Sequence, residues 1–502
     1  MSEKPIKTLP DTFTLLASGG DTRIVPDAVS GLTMYGCGPG PDPDLVALGS
    51  STASSISEKG WAAASALRQI CLEQVQYESK TSVYTMQMER LRSELLGLCG
   101  FASSDGVNAV FAASGTDLHL LATQWLRPQR TIMITETETG SGVPAAVQGQ
   151  HFNRQSACGS KVAMGALVGD WQGDLFMMAA RQADGSLRDA AITDAECVAM
   201  VSKAAEAGQQ VLLILTDVSK TGLIFPRIET VLALKQRWPE QVNVLVDACQ
   251  FRLSAPTIRA YLSHHCMVAL TGSKFIAGPT FCGTLLIPPS VSMRYRDMAL
   301  APGAHTYSNA ADWPSDWLAG RSLPVATNFG LLLRWEAAMA ELRTFFTIPE
   351  HRITKFLQYF AAAVKARLAH DTCFESLPVA MLSRRALRHK VSWDTEQTIF
   401  PFVIYKPDDS AGRRPLLRDE IKHVYETLRH PGAGTETRRF QLGQPVPCGE
   451  HDGVAISALR LCVSVPMIVA ACQGDGAGAD GAIADAMAAL DQIKKIILSN
   501  DL

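Results

Sequence analysis

The sequence has no apolar run approaching the roughly 20 residues that cross a bilayer. Its most hydrophobic C-terminal stretch, 455–472, is interrupted by Arg460, Ser464 and Pro466. No two of its 12 cysteines form a CxxC pair, a scatter that suits reduced thiols in a cytosol rather than a disulfide framework. An excess of charge of one sign is also missing: 46 Lys and Arg stand against 49 Asp and Glu, a formal net charge of −3. That balance gives no electrostatic reason to expect nucleic acid or an anionic membrane surface. Met1-Ser2-Glu3-Lys4-Pro5 lacks the basic-then-apolar profile of a signal peptide. His264-His265-Cys266 invites a metal reading, but neighbours on a strand point to opposite faces and no partner cluster follows, so no metal is expected. These absences leave a cytoplasmic protein that handles a small molecule.

With 47% hydrophobic residues over 502 positions, the chain can bury a sizeable core, and it exceeds the size at which a single core stops growing. The expected division is an N-terminal arm and helix over 1–80, a large domain over 81–330 and a smaller α+β domain over 331–502. Residues 1–60, rich in Gly, Pro and Ser, read as an extended arm. A helical pattern runs over 60–98 with a break near 78–81. Strands at 108–113, 131–135, 211–216, 242–247 and 267–271 then alternate with helices such as 116–125 and 228–237. This is the βα pattern of a mostly parallel sheet covered on both faces. Helical periodicity over 325–346 is long enough to bridge two domains. Further helices are expected at 351–368 and 482–497, strands at 391–393, 399–405 and 458–465, and a flexible loop at 474–481.

Lys274 lies in Leu270-Thr271-Gly272-Ser273-Lys274-Phe275-Ile276-Ala277-Gly278-Pro279, 27 positions after the strand-ending Asp247, with Gln250 between them. An amine held by small polar residues and a Gly-Pro turn, with a carboxylate ending an apolar strand, is the layout that holds pyridoxal phosphate (PLP). The amine takes the aldehyde, and the acid keeps the pyridine nitrogen protonated so that the ring acts as an electron sink. Alone, Lys274 would read as a surface lysine after a strand. Ala112-Ala113-Ser114-Gly115-Thr116-Asp117 closes a strand and opens a helix, whose first N–H groups and Ser and Thr hydroxyls suit a phosphate dianion. Ser114 or Thr116 as a plain helix cap is the alternative. Arg460, on an alternating strand, is either a two-pronged clamp for a substrate α-carboxylate or a solvent-facing arginine. Lys220, in Asp217-Val218-Ser219-Lys220-Thr221-Gly222 at the carboxyl edge of the sheet, is either a second active-site amine or a turn residue.

Ordered this way, residues 80–470 resemble the fold-type-I PLP-dependent enzymes, and within them the class V aminotransferase and cysteine desulfurase group. Asp247-Ala248-Cys249-Gln250 is similar to that group's Asp-x-x-Gln signature. Thr271-Gly272-Ser273-Lys274 with Gly278-Pro279 and Gly283 is similar to its Schiff-base segment, except that Ser273 stands where His is usual. The resemblance implies a PLP-dependent transferase or lyase, with Lys274 and Asp247 catalytic. It places Ser114, Gly115, Thr116, Asp247, Gln250, Thr271, Ser273, Lys274 and Ser322 at the cofactor and Arg460 at the substrate. An amino acid would then pass through an external aldimine and a quinonoid. Gly320-Arg321-Ser322-Leu323-Pro324 stands where the family's Gly-Thr-Pro-type turn reaches the phosphate from a second subunit. The resemblance therefore also implies a homodimer with shared sites, the alternative being a domain-boundary turn.

The chain departs from the family in two places. Relatives usually stack a ring on the cofactor just after the strand matching 131–135, whereas 135–142 has none, and Glu136 and Glu138 are free to bond a polar substrate instead. Desulfuration needs a nucleophilic cysteine shortly before Arg460. Cys448 lies 12 positions before it, but the Gly-His-His-Cys-like register falls nearer Val446, and Gln444 replaces a histidine. A catalytically inactive scaffold on the same fold is the alternative of another class, and the intact Lys274, Asp247 and Gly115-Thr116 set argues against it. The leading expectation is a specialised lyase or transferase: amino transfer, elimination, replacement or carbon–carbon bond formation.

Overall fold

Two β-sheets organise the protein. In the computed structural model, which describes residues 8–49, 54–408, 412–430, 438–451, 453–473 and 477–499, the larger sheet has eight strands. Its order is Asn108–Ala112, Gly283–Ile287, Met267–Thr271, Val242–Ala248, Val211–Asp217, Arg130–Ile134 and Asp174–Met178, with Ile224–Phe225 paired to Val211–Asp217. The five strands from Met267–Thr271 to Asp174–Met178 are mutually parallel, and Gly283–Ile287 runs against both of its neighbours.

Strands 211–217 and 242–248 are buried at every position, as expected of strands covered on both faces. Alternate residues feed two separate cores. Leu213, Leu215, Val244 and Val246 join one core with Leu331, Leu332 and Trp335. Leu212, Ile214, Leu245 and Ala269 join the other with Leu118, Leu121 and a cluster of Trp125, Trp313 and Trp317. Each buried Val, Leu or Ile among them contributes about 1.5–3 kcal/mol.

The smaller sheet runs Leu45–Leu48, Arg439–His451, Val454–Cys462, Ile399–Asp408 and Phe374–Ser376, with Gly412–Pro415 paired to Ile399–Asp408. Its first strand comes from the N-terminal arm and pairs in parallel, Leu45 opposite Arg439 and Leu48 opposite Leu442. The arm is thus built into the body rather than merely extended. Near its start, the buried guanidinium of Arg334 holds it through backbone carbonyls: Nη2 donates to Gly19 O (2.8 Å), Nη1 to Leu16 O (3.2 Å) and Ser18 O, and Nε to Phe281 O (2.6 Å). Gly19 is at φ +69°, and a Cβ there would strike the Asn328 side chain, so the position demands glycine.

Several sequence expectations need correction. The bridging helix starts at Phe329, not 325, because the Asn328 side chain caps it by accepting from Leu331 N (2.9 Å). It is buried on almost every face, as a core helix is. Residues 391–393 form no strand; an irregular segment leads into a single turn at Trp393–Thr395, and Trp393 stacks on Phe275. The strand expected over 458–465 ends at Cys462, and Val465–Cys472 is helical, with Pro466 in its first turn where the missing N–H costs nothing. The loop expected at 474–481 falls partly outside the described residues, and from Ala477 onward the chain is helical. The strand Asp174–Met178 and the helix Ala190–Glu206 were not anticipated at all.

Among the described residues, no helix is long and apolar enough to cross a membrane. No group of three or more His, Cys, Asp or Glu among them could hold a metal ion.

Candidate active site

The loop after Met267–Thr271 is shaped by glycines. Gly272 N donates to Cys282 O (2.8 Å) and Gly278 N to Gly272 O (2.9 Å). A Cβ on Gly272 would lie 2.6 Å from that of Ala338, so only glycine lets this loop rest on the helix Phe329–Phe345. Phe275, next to Lys274, is fully buried and lies between Trp393 and the Arg252 guanidinium. The Ser54 hydroxyl sits 2.8 Å from Gly278 O and also bonds Ser273 O. Lys274 is therefore carried by a loop fixed on both sides. It lines a pocket together with Ser114, Gly115, Thr116, Asp247, Gln250, Thr271, Ser273 and Arg460. Of the residues expected at the cofactor or at the substrate carboxylate, all except Ser322 line this pocket.

Asp247 lies in the strand between Thr216 and Ala269. Its Oδ2 accepts from Thr139 Oγ1 (3.1 Å) and its Oδ1 from Cys249 N (3.2 Å). His119 Nε2 stands 3.5 Å from the same Oδ2. Burial alone would raise this carboxyl, but His119, Lys274 and the Cys249 amide outweigh it and hold it below the usual range. His119 was not anticipated; its one signal is position, one helical turn beyond Gly115.

Ser114 caps the helix Gly115–Leu126, its hydroxyl accepting from Asp117 N (3.2 Å) and donating to Asp117 Oδ2. The cap reading of Ser114 therefore holds in this structure. The N–H groups of Gly115 and Thr116, in the first turn, have no intrahelical acceptor and are open to an anion. Thr271 differs from expectation: its hydroxyl donates to Cys249 O (2.6 Å), so its proton is committed and it can offer a phosphate none. Gln250 Oε1, Thr216 Oγ1, His119 Nε2 and Arg460 Nε are buried without hydrogen-bond partners, and all four residues line the pocket. Buried polar atoms rarely go unpaired, so this orphaned set marks a polar ligand site.

At the other end, Arg460 is 2% exposed, far from the solvent-facing alternative. It donates to Lys220 O (3.2 Å) and Gln444 O (2.8 Å) and pairs with no carboxylate among the described residues. Burial pulls its pKa below the ordinary value. The Lys220 amine also lines the pocket. Burial, with Arg460 and Lys274 nearby, lowers it to about 8. Glu138 is not free for a substrate, because Arg181 Nε (2.9 Å), Ser219 Oγ (2.7 Å) and Thr221 Oγ1 (2.7 Å) already occupy its oxygens. Glu136 is exposed and does not line the pocket, although Lys220 Nζ reaches its carbonyl (3.2 Å).

Two expectations fall outside the pocket. Cys448 lies within the strand Arg439–His451, buried, its thiol pushed up to about 12 by burial; Gln444, Pro445 and Val446 face the pocket in its place. The desulfuration alternative thus lacks a mobile thiolate. Arg321 and Ser322 sit in an exposed turn, where the Ser322 hydroxyl donates to Ala319 O (2.8 Å). Conversely, the N-terminal arm places Arg23 and Tyr35 in the pocket lining, which nothing in their local sequence signalled.

No protein-family model matches the sequence, and no curated protein matches it. Solved structures do. A NifS-like protein from Rickettsia africae ESF-5 superposes with a TM-score of 0.51 at 10% identity, covering 90% of this chain and 99% of that one. Catharanthus roseus tryptophan decarboxylase, in complex with L-tryptophan, gives 0.51 at 14% identity over 95% of this chain and 86% of that one. A serine palmitoyltransferase from S. paucimobilis with a bound PLP–myriocin aldimine gives 0.51 at 10% identity over 90% and 88%. Sheet order, lysine loop and superpositions agree: this chain has the fold of the type I PLP-dependent enzymes.

Proposed function

We propose that the protein is a PLP-dependent transferase or lyase acting on an amino acid. The observation that carries this reading is convergence: Lys274, Asp247 and the open amides of Gly115 and Thr116 line one pocket whose buried polar atoms lack protein partners. The residues fit the cofactor. Lys274 would hold its aldehyde carbon, Asp247 its pyridine nitrogen, Gln250 its phenolic oxygen and the helix N-terminus its phosphate. When bound, PLP supplies an electron sink for bonds at a substrate α-carbon.

The chain's own residues do the rest. Asp247, kept ionised by His119, Lys274 and the Cys249 amide, would hold the proton on the pyridine nitrogen. Arg460 binds a substrate α-carboxylate with its two-pronged guanidinium and so orients the α-carbon. Lys274 Nζ would move the proton at that carbon. The outcome among amino transfer, elimination, replacement and carbon–carbon bond formation depends on the groups facing the substrate side chain, Lys220 and Gln444 among them. The exposed turn bearing Arg321 and Ser322 supports a homodimer, in which it would serve the partner's site.

The test is chemical. Purified protein given PLP should develop a near-ultraviolet or visible band, and borohydride should fix the label to one peptide containing Lys274. Lys274→Ala should lose both band and label. Label on Lys220, or none at all with PLP in excess, would overturn the reading.

A further inference from the structure

A phosphate dianion is held by amides at a helix N-terminus, but a tight site adds a cation. Among the described residues, four Lys and Arg side chains line the pocket: Arg23, Lys220, Lys274 and Arg460. Lys274 is committed to the aldehyde, and Arg460 donates to the Lys220 carbonyl at the opposite end. Of these four, Arg23 alone stands at the cradle, its Nη2 3.4 Å from Ser114 Oγ.

We propose that Arg23, delivered in cis by the N-terminal arm, is the charged group that binds the cofactor phosphate. The inference rests on the PLP reading above and adds a residue outside the PLP-binding segments of the large domain. Its geometry is that of a prepared ligand group. Asp21, 1% exposed, takes Nε (2.9 Å) and Nη2 (2.6 Å) and fixes the fork, while Nη1 has no partner among the described residues. Phe281 lies beneath the guanidinium, 4.6 Å from carbon to ring centroid, with Phe152 at 5.3 Å on the same guanidinium. Arg334 ties the arm just upstream of Arg23 to Phe281 O, so the same side chain sets the arm and the ring under Arg23. The orphaned His119 Nε2 and Gln250 Oε1 in the same pocket independently call for a polar ligand. Two carboxylates nearby do not defeat an anion. Asp21 takes Nε and Nη2 and leaves Nη1 to the anion, and burial with Asp21 alongside pushes Asp117 up to about 7, so it takes a proton readily and becomes a donor.

The test compares PLP with pyridoxal, which lacks the phosphate, by equilibrium dialysis on the full chain. Wild type should prefer PLP. Arg23→Gln should weaken PLP binding at least about tenfold while leaving pyridoxal within about twofold, and Arg23→Lys should recover part of the preference. Equal losses for both ligands, or no loss for either, would overturn the assignment and leave Arg23 as an anchor of the arm. A wild type that binds neither ligand would instead bring down the PLP reading itself.

Discussion

His119 Nδ1 lies 2.7 Å from Gly115 O, while its Nε2 lies 3.5 Å from Asp247 Oδ2. A carbonyl only accepts, so Nδ1 carries a proton there; a second proton, on Nε2, faces the carboxylate, and it is this charged ring that lowers Asp247. One imidazole thereby ties the helix that offers amides to an anion to the strand that offers the acid. Because His119 lowers the Asp247 carboxyl, His119→Leu should raise it. On the proposed reading ionised Asp247 is the active form, so the acid limb of the pH–rate profile should move to higher pH, with turnover reduced. An unmoved limb in the variant would make His119 a packing residue.

Asp247→Asn keeps the size of the side chain but cannot hold a proton on the pyridine nitrogen. Turnover should fall by at least about a hundredfold, in the range for a misplaced catalytic proton, with PLP still bound and the melting temperature near that of wild type. Near-normal turnover would remove Asp247 from the catalytic set.

Arg460→Ala should raise the Michaelis constant for substrates bearing an α-carboxylate, at a cost of about 2–5 kcal/mol for a desolvated charge pair. Primary amines without the carboxylate should be little affected. Comparable losses for both would mean that the guanidinium serves the carbonyls of Lys220 and Gln444 rather than a substrate.

Asp117 gives the apo-protein a predictable pH dependence. Its carboxyl is raised from 3.8 to about 7, so the folded chain holds that proton more tightly than the unfolded one. The resulting stability is complete below about pH 4 and is lost as pH rises through about 7, by roughly 1.4 kcal/mol per pH unit at most. Urea midpoints of wild type should therefore fall across this window relative to those of Asp117→Asn. A constant difference between the two would contradict the assignment.

The pocket's central residues were legible because each rode on a local pattern. Asp247 ends an apolar strand, Lys274 follows the next parallel strand between a glycine and a Gly-Pro turn, and Gly115 starts a helix straight after a strand. Side-chain alternation and the parallel order of these strands then bring the three together. The rest was hidden for physical reasons. Arg23 meets Ser114 across 91 positions, held by Arg334 more than 300 positions along the chain. Whether a hydroxyl is a ligand or a strut depends on where its proton goes, as with Thr271 and Cys249 O. Cys448 and Arg460 show the same limit: the thiol of the desulfuration alternative is sealed in a strand, and the arginine whose local pattern also allowed a solvent-facing place is buried in the pocket. By itself the sequence determined the parallel-sheet fold and the Lys–Asp–amide layout, since these follow from periodicity and short-range spacing. Only the tertiary structure decided which side chains complete the site and which are spent elsewhere, because contacts between distant segments set burial, hydrogen-bond commitment and charge.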